Sequence, residues 1–259
     1  MGIKIKSLRD ICITMNDINI NDININDHHD MIRWGATLAL GMLVVLWRVV
    51  LPRNVEITVA IVVLVAVLDL TLTAALIMIN KTELKEIFLR KFTKKDLLKI
   101  LFSFIFLLLG SPILVALLSQ IILSLYSVFP VMEALIIMPG YTVLQLQSPA
   151  DWTATQFVAV FPAGMFVSGV IAAPIWEEIA FRMAGRRLIK NTLLYLIITS
   201  LLFGFIHTAT FVSPTIIRYV ISGLVFALIY LKTKDLRVVI AVHFIGNLIG
   251  MTLGFMSQL

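Results

Sequence analysis

The sequence predicts an all-α fold, a polytopic membrane helical bundle of about seven to eight transmembrane helices, on three observations. Of its 259 residues, 60% are hydrophobic and 14% charged, and the mean hydropathy of +1.01 lies far from soluble globular composition. Apolar runs of about 20 residues, the length that crosses a ~30 Å hydrocarbon core, recur along the chain. The charges fall in short clusters between those runs. The net charge of +6 therefore reads as cytoplasmic loops rather than a nucleic-acid surface, which excludes nucleic acid and leaves the lipid bilayer as the implied partner. A single cysteine, Cys12, excludes an intrachain disulfide and a cysteine-based zinc site.

Residues 1–30 form a low-complexity cytoplasmic tail, 31–154 the amino-terminal membrane helices with about three spans and an outer loop, and 155–259 a membrane core that carries the polar motifs. The tail repeats Asn-Asp-Ile-Asn-Ile at Asn16–Ile20 and Asn21–Ile25, and alternation of this low complexity favours disorder. It lacks the continuous apolar core and cleavage site of a signal peptide. His28, His29 and Asp30 are three adjacent metal-ligating types, but consecutive residues rarely converge on one ion, and a tail is the simpler reading.

The first span is expected over about Trp34 to Val50, with Arg48 able to snorkel from its end, and the second over Val55 to Ile79. Asp69 interrupts the second and reads most simply as a helix-packing polar residue, with a functional role left open. From Asn80 to Lys99 the bases Lys81, Lys85, Arg90, Lys91, Lys94, Lys95 and Lys99 outnumber the acids, so this connection is expected to be a cytoplasmic loop. A third span from Leu97 to about Leu125 contains Gly110-Ser111-Pro112, where the missing backbone donor predicts a kink or tilt. No lysine or arginine occurs from Ile100 through Phe181, which places the connection Ser127–Thr155 outside. A fourth span, about Phe157 to Trp176, returns to the basic cluster Arg182, Arg186, Arg187 and Lys190. The fifth runs from Thr192 to about Val212, the sixth from Thr215 to Leu231 after the Ser213-Pro214 start signal, and the seventh from about Val238 to Met256. Base-rich and base-free connections alternate through this half, putting the amino end in the cytoplasm and the carboxyl end outside a multi-pass cell membrane protein.

Three polar constellations interrupt the apolar second half. At the end of the fourth span stand Glu177 and Glu178, followed by Arg182; a charge well inside a bilayer costs ~2.5–3.5 kcal/mol or more. On an α-helix Glu178 and Arg182 share a face and can pair, while Glu177 is turned by about 100° onto another face, where a buried carboxylate is poised to take a proton. The alternative is that both carboxylates sit solvated at headgroup level. The fifth span holds Phe203-Gly204-Phe205-Ile206-His207 and the seventh His243-Phe244-Ile245-Gly246-Asn247. A lone histidine in such surroundings is more often structural than catalytic.

Register favours convergence. Counting from a turn near Lys190-Asn191, Glu177 and His207 stand at similar depths on antiparallel arms, within about one helical turn of each other. His243 lies a little shallower, and His243 and Asn247 share one face. Gly204 and Gly246 permit close helix approach. Peptide hydrolysis needs an activated water and donors for the developing oxyanion, and a carboxylate, two imidazoles and an amide supply both. The Gly-x-Ser-x-Gly elbow is absent. The same Glu/His/His set could instead bind zinc, although it lacks His-Glu-x-x-His spacing.

Glu177-Glu178-x-x-x-Arg182, Phe203-x-x-x-His207 and His243-x-x-x-Asn247, in that order, resemble the three motifs of the CAAX-protease and bacteriocin-processing family (CPBP or Abi), and within it the type II prenyl-protein endopeptidases. The resemblance covers roughly residues 155–255. It implies an intramembrane endopeptidase acting on a peptide or membrane-protein substrate, in which Glu177 and His207 activate water, His243 and Asn247 hold the oxyanion, and Glu178 and Arg182 support them. Both a metal-free glutamate mechanism and a metalloprotease are carried by the family; the reading leans to the former, with no cofactor required, and if zinc is present its ligands are Glu177, His207 and His243. The resemblance leaves three settings open: peptide maturation or export, bacteriocin self-immunity, and regulated proteolysis. A non-enzymatic immunity or scaffold protein, using the polar cluster for helix packing, is the main rival. A proton-coupled transporter is a third reading, weakened by the absence of internal repeats. Oligomeric state is not encoded in any of these features.

Overall fold

The computed structural model describes residues 28–50, 59–128, 163–164, 166–208 and 216–256. The low-complexity tail with Cys12, the expected outer connection Ser127–Thr155 beyond residue 128, and the Ser213-Pro214 start signal fall outside the described residues. Among the described residues the fold is all-α, as the composition predicts: eight helices, with no strand.

Helix α1, His28–Val50, begins earlier than the apolar run does. The reason is polar: Asp30 in the first turn accepts from Arg33 at 2.8 Å, and a carboxylate there also suits the helix dipole. Helix α2, Val59–Ile79, ends against Asn80 and turns by 90° into α3, Lys81–Leu89. This basic stretch was expected to be loop. It is helical because Leu84, Ile87 and Phe88 repeat at helical spacing: Leu84 is buried and Ile87 packs on the core. Asn80 pins the corner, donating through Nδ2 to the Thr37 hydroxyl at 3.0 Å and to the Leu76 carbonyl at 2.9 Å. Arg33 reaches across from α1 to Glu83 on α3.

Helix α4, Lys94–Val128, runs unbroken through Pro112 for 35 residues, starting before the expected Leu97. Its start is fixed by a reciprocal cap, in which the Asp96 carboxylate accepts from the Thr93 amide at 3.0 Å and the Thr93 hydroxyl accepts from the Asp96 amide at 3.2 Å.

The fourth expected span becomes α5, which is not a plain α-helix. Four segments follow without a gap: a π segment Phe166–Ala172, an α segment Ala173–Glu177, a second π segment Glu178–Ala184, and an α segment Gly185–Leu188. The 100° rotation expected between Glu177 and Glu178 therefore falls at the junction into an i→i+5 turn, a widening common at functional sites. Asn191 caps the next helix, its side-chain oxygen accepting from the Leu194 amide at 3.0 Å. That helix is α6, Thr192–Thr208; α7 is Ile216–Thr233 and α8 is Leu236–Met256.

Each of the seven expected spans overlaps one long helix. Among the described residues three helices, α4, α7 and α8, suffice by length and hydropathy alone to cross a bilayer, or four if the bent α2–α3 pair is one span. α6 is shorter, with 17 residues, and α5 carries the charges. The core gathers around α5, where Trp176, Ile179 and Phe181 are fully buried against Phe203, Phe226, Val238 and Val242 from α6, α7 and α8. The outward faces of α2, α4 and α6 expose Leu, Ile, Val and Phe side chains, as a bilayer requires. Gly204 earns its place on α6: a Cβ there would stand 2.4 Å from Val220 and 2.9 Å from Ile216 on α7. Gly246 instead faces α4, with Leu107 at 3.3 Å, so it serves a different contact from the one expected of it.

Candidate active site

The π segment of α5 turns Glu178 and Arg182 into the core, where both are completely buried. Arg182 Nε lies 3.0 Å from Glu178 Oε2. The rest of the guanidinium is met by rings rather than acceptors: its carbon stands 5.0 Å over Phe203, 5.9 Å over Phe226 and 6.0 Å over Phe181. Such desolvated cation–π contacts partly replace lost hydration. The second Glu178 oxygen, Oε1, faces His243 Nδ1 on α8 at 2.8 Å. Glu178 thus joins a guanidinium to an imidazole across two helices.

Glu177 is buried as well. His207 Nε2 lies 3.8 Å from one of its oxygens and His243 Nε2 lies 3.9 Å from the other. These separations exceed a direct hydrogen bond and suit a single bridging water. The two rings are fixed from behind. His207 Nδ1 donates to the Phe203 carbonyl at 2.7 Å, a group that only accepts, and the ring stacks on Tyr219 with centroids 4.3 Å apart. His243 stacks on Phe226 at 4.5 Å and directs Nδ1 to a carboxylate already paired with arginine, so Nδ1 carries the proton. In the neutral rings both Nε2 atoms are consequently acceptors that face Glu177. By formal charge the buried cluster sets two carboxylates against one guanidinium.

Asn247, one turn beyond His243, donates through Nδ2 to the Gly169 carbonyl at 2.8 Å. Helix α8 thereby ties back to the first π segment of α5. All six residues singled out from the sequence, Glu177, Glu178, Arg182, His207, His243 and Asn247, thus lie on the facing sides of α5, α6 and α8. His207 is the most open of the charged and imidazole groups, with 19% of its side chain exposed. Helix α1 begins at His28, and Asp30 in its first turn is paired with Arg33.

The donor types match a His/His/Glu zinc centre, and both imidazoles have the Nδ1 support that metal ligands usually show. As placed, however, the three side chains do not close into a metal-binding group, and among the described residues no cluster of three His, Cys, Asp or Glu side chains does.

Sequence reasoning missed the rings that orient the imidazoles, Tyr219 and Phe226, because aromatic residues in an apolar span carry no distinguishing pattern. It missed Ser168 and the Gly169 carbonyl for a different reason: π geometry leaves no periodic trace in so short a segment.

Comparison with known proteins gives an independent result. Residues 159–249 match the family described as Type II CAAX prenyl endopeptidase Rce1-like. Over 88 residues the chain is 39% identical to the UPF0177 protein YaiH of Lactococcus lactis subsp. lactis (strain IL1403), covering 34% of this chain and 36% of that protein. It is 33% identical over 88 residues to the UPF0177 protein in the abiGi 5' region of Lactococcus lactis subsp. cremoris, covering 34% of this chain and 37% of that protein. The chain thus matches little more than a third of the length of either relative. No solved structure matches it. The matched segment contains all three polar motifs, so the resemblance to the CAAX-protease and bacteriocin-processing family stands over the helices that build the site.

Proposed function

We propose that this membrane protein, whose residues 159–249 carry the Type II CAAX prenyl endopeptidase Rce1-like match, is an intramembrane endopeptidase that hydrolyses a peptide bond of a peptide or membrane-protein substrate. The observation that carries the reading is the approach of two imidazole Nε2 atoms to the two oxygens of one buried carboxylate, at 3.8 and 3.9 Å.

In this reading a water seated between Glu177 and His207 donates one hydrogen bond to the carboxylate and one to Nε2. Both partners are acceptors, and the oxygen lone pair is left to attack a carbonyl carbon. Glu177 takes the proton as the bond forms. This scheme takes His243 as the imidazolium, with Nδ1 on Glu178 as its counterion; the oxyanion that develops is met by its Nε2–H and by the amide proton of Asn247 not given to Gly169. Glu177 then returns its proton to the leaving amine. Glu178 and Arg182 touch no reacting atom in this scheme; they hold His243 and balance its charge. In this reading residues 155–259 form the catalytic core, with α1 and α2 packed against α5, and α4 packed against α7 and α8. With base-rich connections inside, the amino end is cytoplasmic, the carboxyl end outside, and the site opens toward the cytoplasmic half of the membrane.

The test is cleavage by purified protein in proteoliposomes of internally quenched peptides, comparing wild type with Glu177→Ala and His207→Ala. Both variants should insert normally and lose at least the ~10²–10⁴-fold that a general base supplies. Full activity in both would rule out this site.

A further inference from the structure

Asp69 is a buried carboxylate that this scheme does not use. Asp69 sits in the apolar helix α2, fully buried, at a depth where an acidic side chain is costly and is usually kept for a purpose. Its Oδ2 accepts the hydroxyl of Ser168, on the first π segment of α5. One turn along, Thr73 donates to the Asp69 carbonyl at 2.7 Å and approaches the Ala172 carbonyl at 3.5 Å. α2 therefore grips the π segment by polar contacts at both of its ends.

The peptide next to Ser168 is the one that Asn247 uses. Gly169 lies five residues before Pro174, and proline has no N–H. The Gly169 carbonyl is thus denied the i→i+5 partner that a π turn would give it. Asn247 Nδ2 donates to it instead, at 2.8 Å. Gly169 has no side chain with which to hold its own carbonyl in place, and a Cβ there would meet nothing within 4 Å, so packing does not fix it either. The adjacent side chain, Ser168, is the anchor, and Asp69 is what Ser168 is anchored to.

We propose that Asp69 is a positioning residue for Asn247: through Ser168 it holds the Gly169 carbonyl where it orients the Asn247 amide beside His243. The chain of contacts runs from the amino-terminal helices into the site, which gives residues outside the matched segment a part in it. The catalytic consequence rests on the endopeptidase reading; the positioning itself does not.

Two readouts on the full-length protein separate these. In detergent micelles with 15N-asparagine labelling, the Asn247 side-chain amide, assigned by its loss in Asn247→Asp, should be shifted and slowed in hydrogen exchange. Asp69→Ala and Ser168→Ala should each abolish that signature, while Asp69→Asn, which keeps an acceptor for the hydroxyl, should retain it. With the best-cleaved quenched peptide, Asp69→Ala and Ser168→Ala should each lower kcat by about tenfold or more, within the ~100-fold that misplaced groups cost. KM should stay nearly constant. The double variant should be no worse than either single one, because both cut the same link, and Asp69→Asn should restore turnover. An Asn247 signal unmoved by Asp69→Ala overturns the proposal whether or not peptide is cleaved. A signal that moves in a protein that cleaves nothing upholds the positioning and removes only the endopeptidase reading.

Discussion

His243 Nδ1 stands 2.8 Å from Glu178 Oε1, across 65 residues of sequence, and the other oxygen of the same carboxylate stands 3.0 Å from Arg182 Nε. One acidic side chain therefore serves two basic partners; in the proposed scheme Arg182 balances its charge and His243 faces the reacting carbonyl. Removing Glu178 should show both. Glu178→Ala leaves a fully buried guanidinium without its countercharge and should cost about 3–5 kcal/mol of stability, read from unfolding in detergent. Replacing both partners, Glu178→Leu with Arg182→Met, should recover most of that stability, since buried ion pairs replaced by apolar side chains of similar volume are often neutral. Activity should not return, because His243 would still lack the acceptor behind Nδ1. Recovery of cleavage in the double variant would show that Glu178 serves packing alone.

The convergence of the six site residues was legible in the sequence because it depended on quantities sequence carries well. Loop positions came from the bases, depth came from the ~1.5 Å rise per residue, and the shared face of His243 and Asn247 came from their spacing. What the sequence did not carry was helix type. α5 departs from α geometry on both sides of Glu177, and Pro174 withholds a donor in between. A proline in an apolar span announces a kink or a tilt, as expected at Pro112, which lies inside the 35-residue α4; at Pro174 the carbonyl five residues earlier is put to use by Asn247. The corner at Asn80 was missed for a similar reason: a basic stretch reads as loop until Leu84 and Ile87 are seen as one buried face.

Close packing of α6 on α7 gives a second prediction. A Cβ at Gly204 would lie 2.4 Å from Val220 Cγ2 and 2.9 Å from Ile216 Cγ1, and both neighbours are β-branched with little rotamer freedom. Gly204→Ala should destabilise the protein by about 1–3 kcal/mol through overpacking and, by separating α6 from α7, disturb the Tyr219 stack on His207. Gly250 on α8 is the control: nothing lies within 4 Å of its Cβ, and Gly250→Ala should gain up to about 1 kcal/mol from helix propensity. Thermal unfolding of the two variants side by side checks the contrast. Equal behaviour would mean that the helices part more readily than the packing indicates.

The chemistry of the site predicts the response to metal removal. In the proposed scheme a water held by the Glu177 carboxylate and the His207 imidazole suffices for attack. Peptide cleavage should therefore persist after dialysis against a strong chelator, with less than about a twofold change; a metal-activated water would instead lose most of its activation. Stoichiometric zinc in the purified protein, together with loss and zinc-dependent recovery of cleavage, would replace the water mechanism by a metal-centred one built on the same three side chains.

Beneath the site, the turn between α7 and α8 supplies a prediction about pH. Lys234 adopts a left-handed φ of 51°, and Asp235 caps α8 by accepting from the Arg237 amide and from Arg237 Nε, each at 3.1 Å. Arg90, at the end of α3, also pairs with Asp235, and Arg237 donates to the Arg90 carbonyl, so the cluster ties the amino-terminal helices to α8. Burial alone would raise the Asp235 carboxyl, but the hydrogen bonds from Arg237 and the charges of Arg237 and Arg90 outweigh it, and the pKa lies below the ordinary value. A carboxylate depressed in the folded state contributes stability that is fully present above its unfolded pKa of ~3.9 and is lost as pH falls through the folded value. Unfolding measured across the acid range should thus show wild type losing stability below about pH 4, while Asp235→Asn starts less stable at neutral pH and loses less on acidification. If the two proteins instead lose stability in parallel as pH falls, the Arg90–Asp235–Arg237 cluster does not couple the two halves of the bundle through charge.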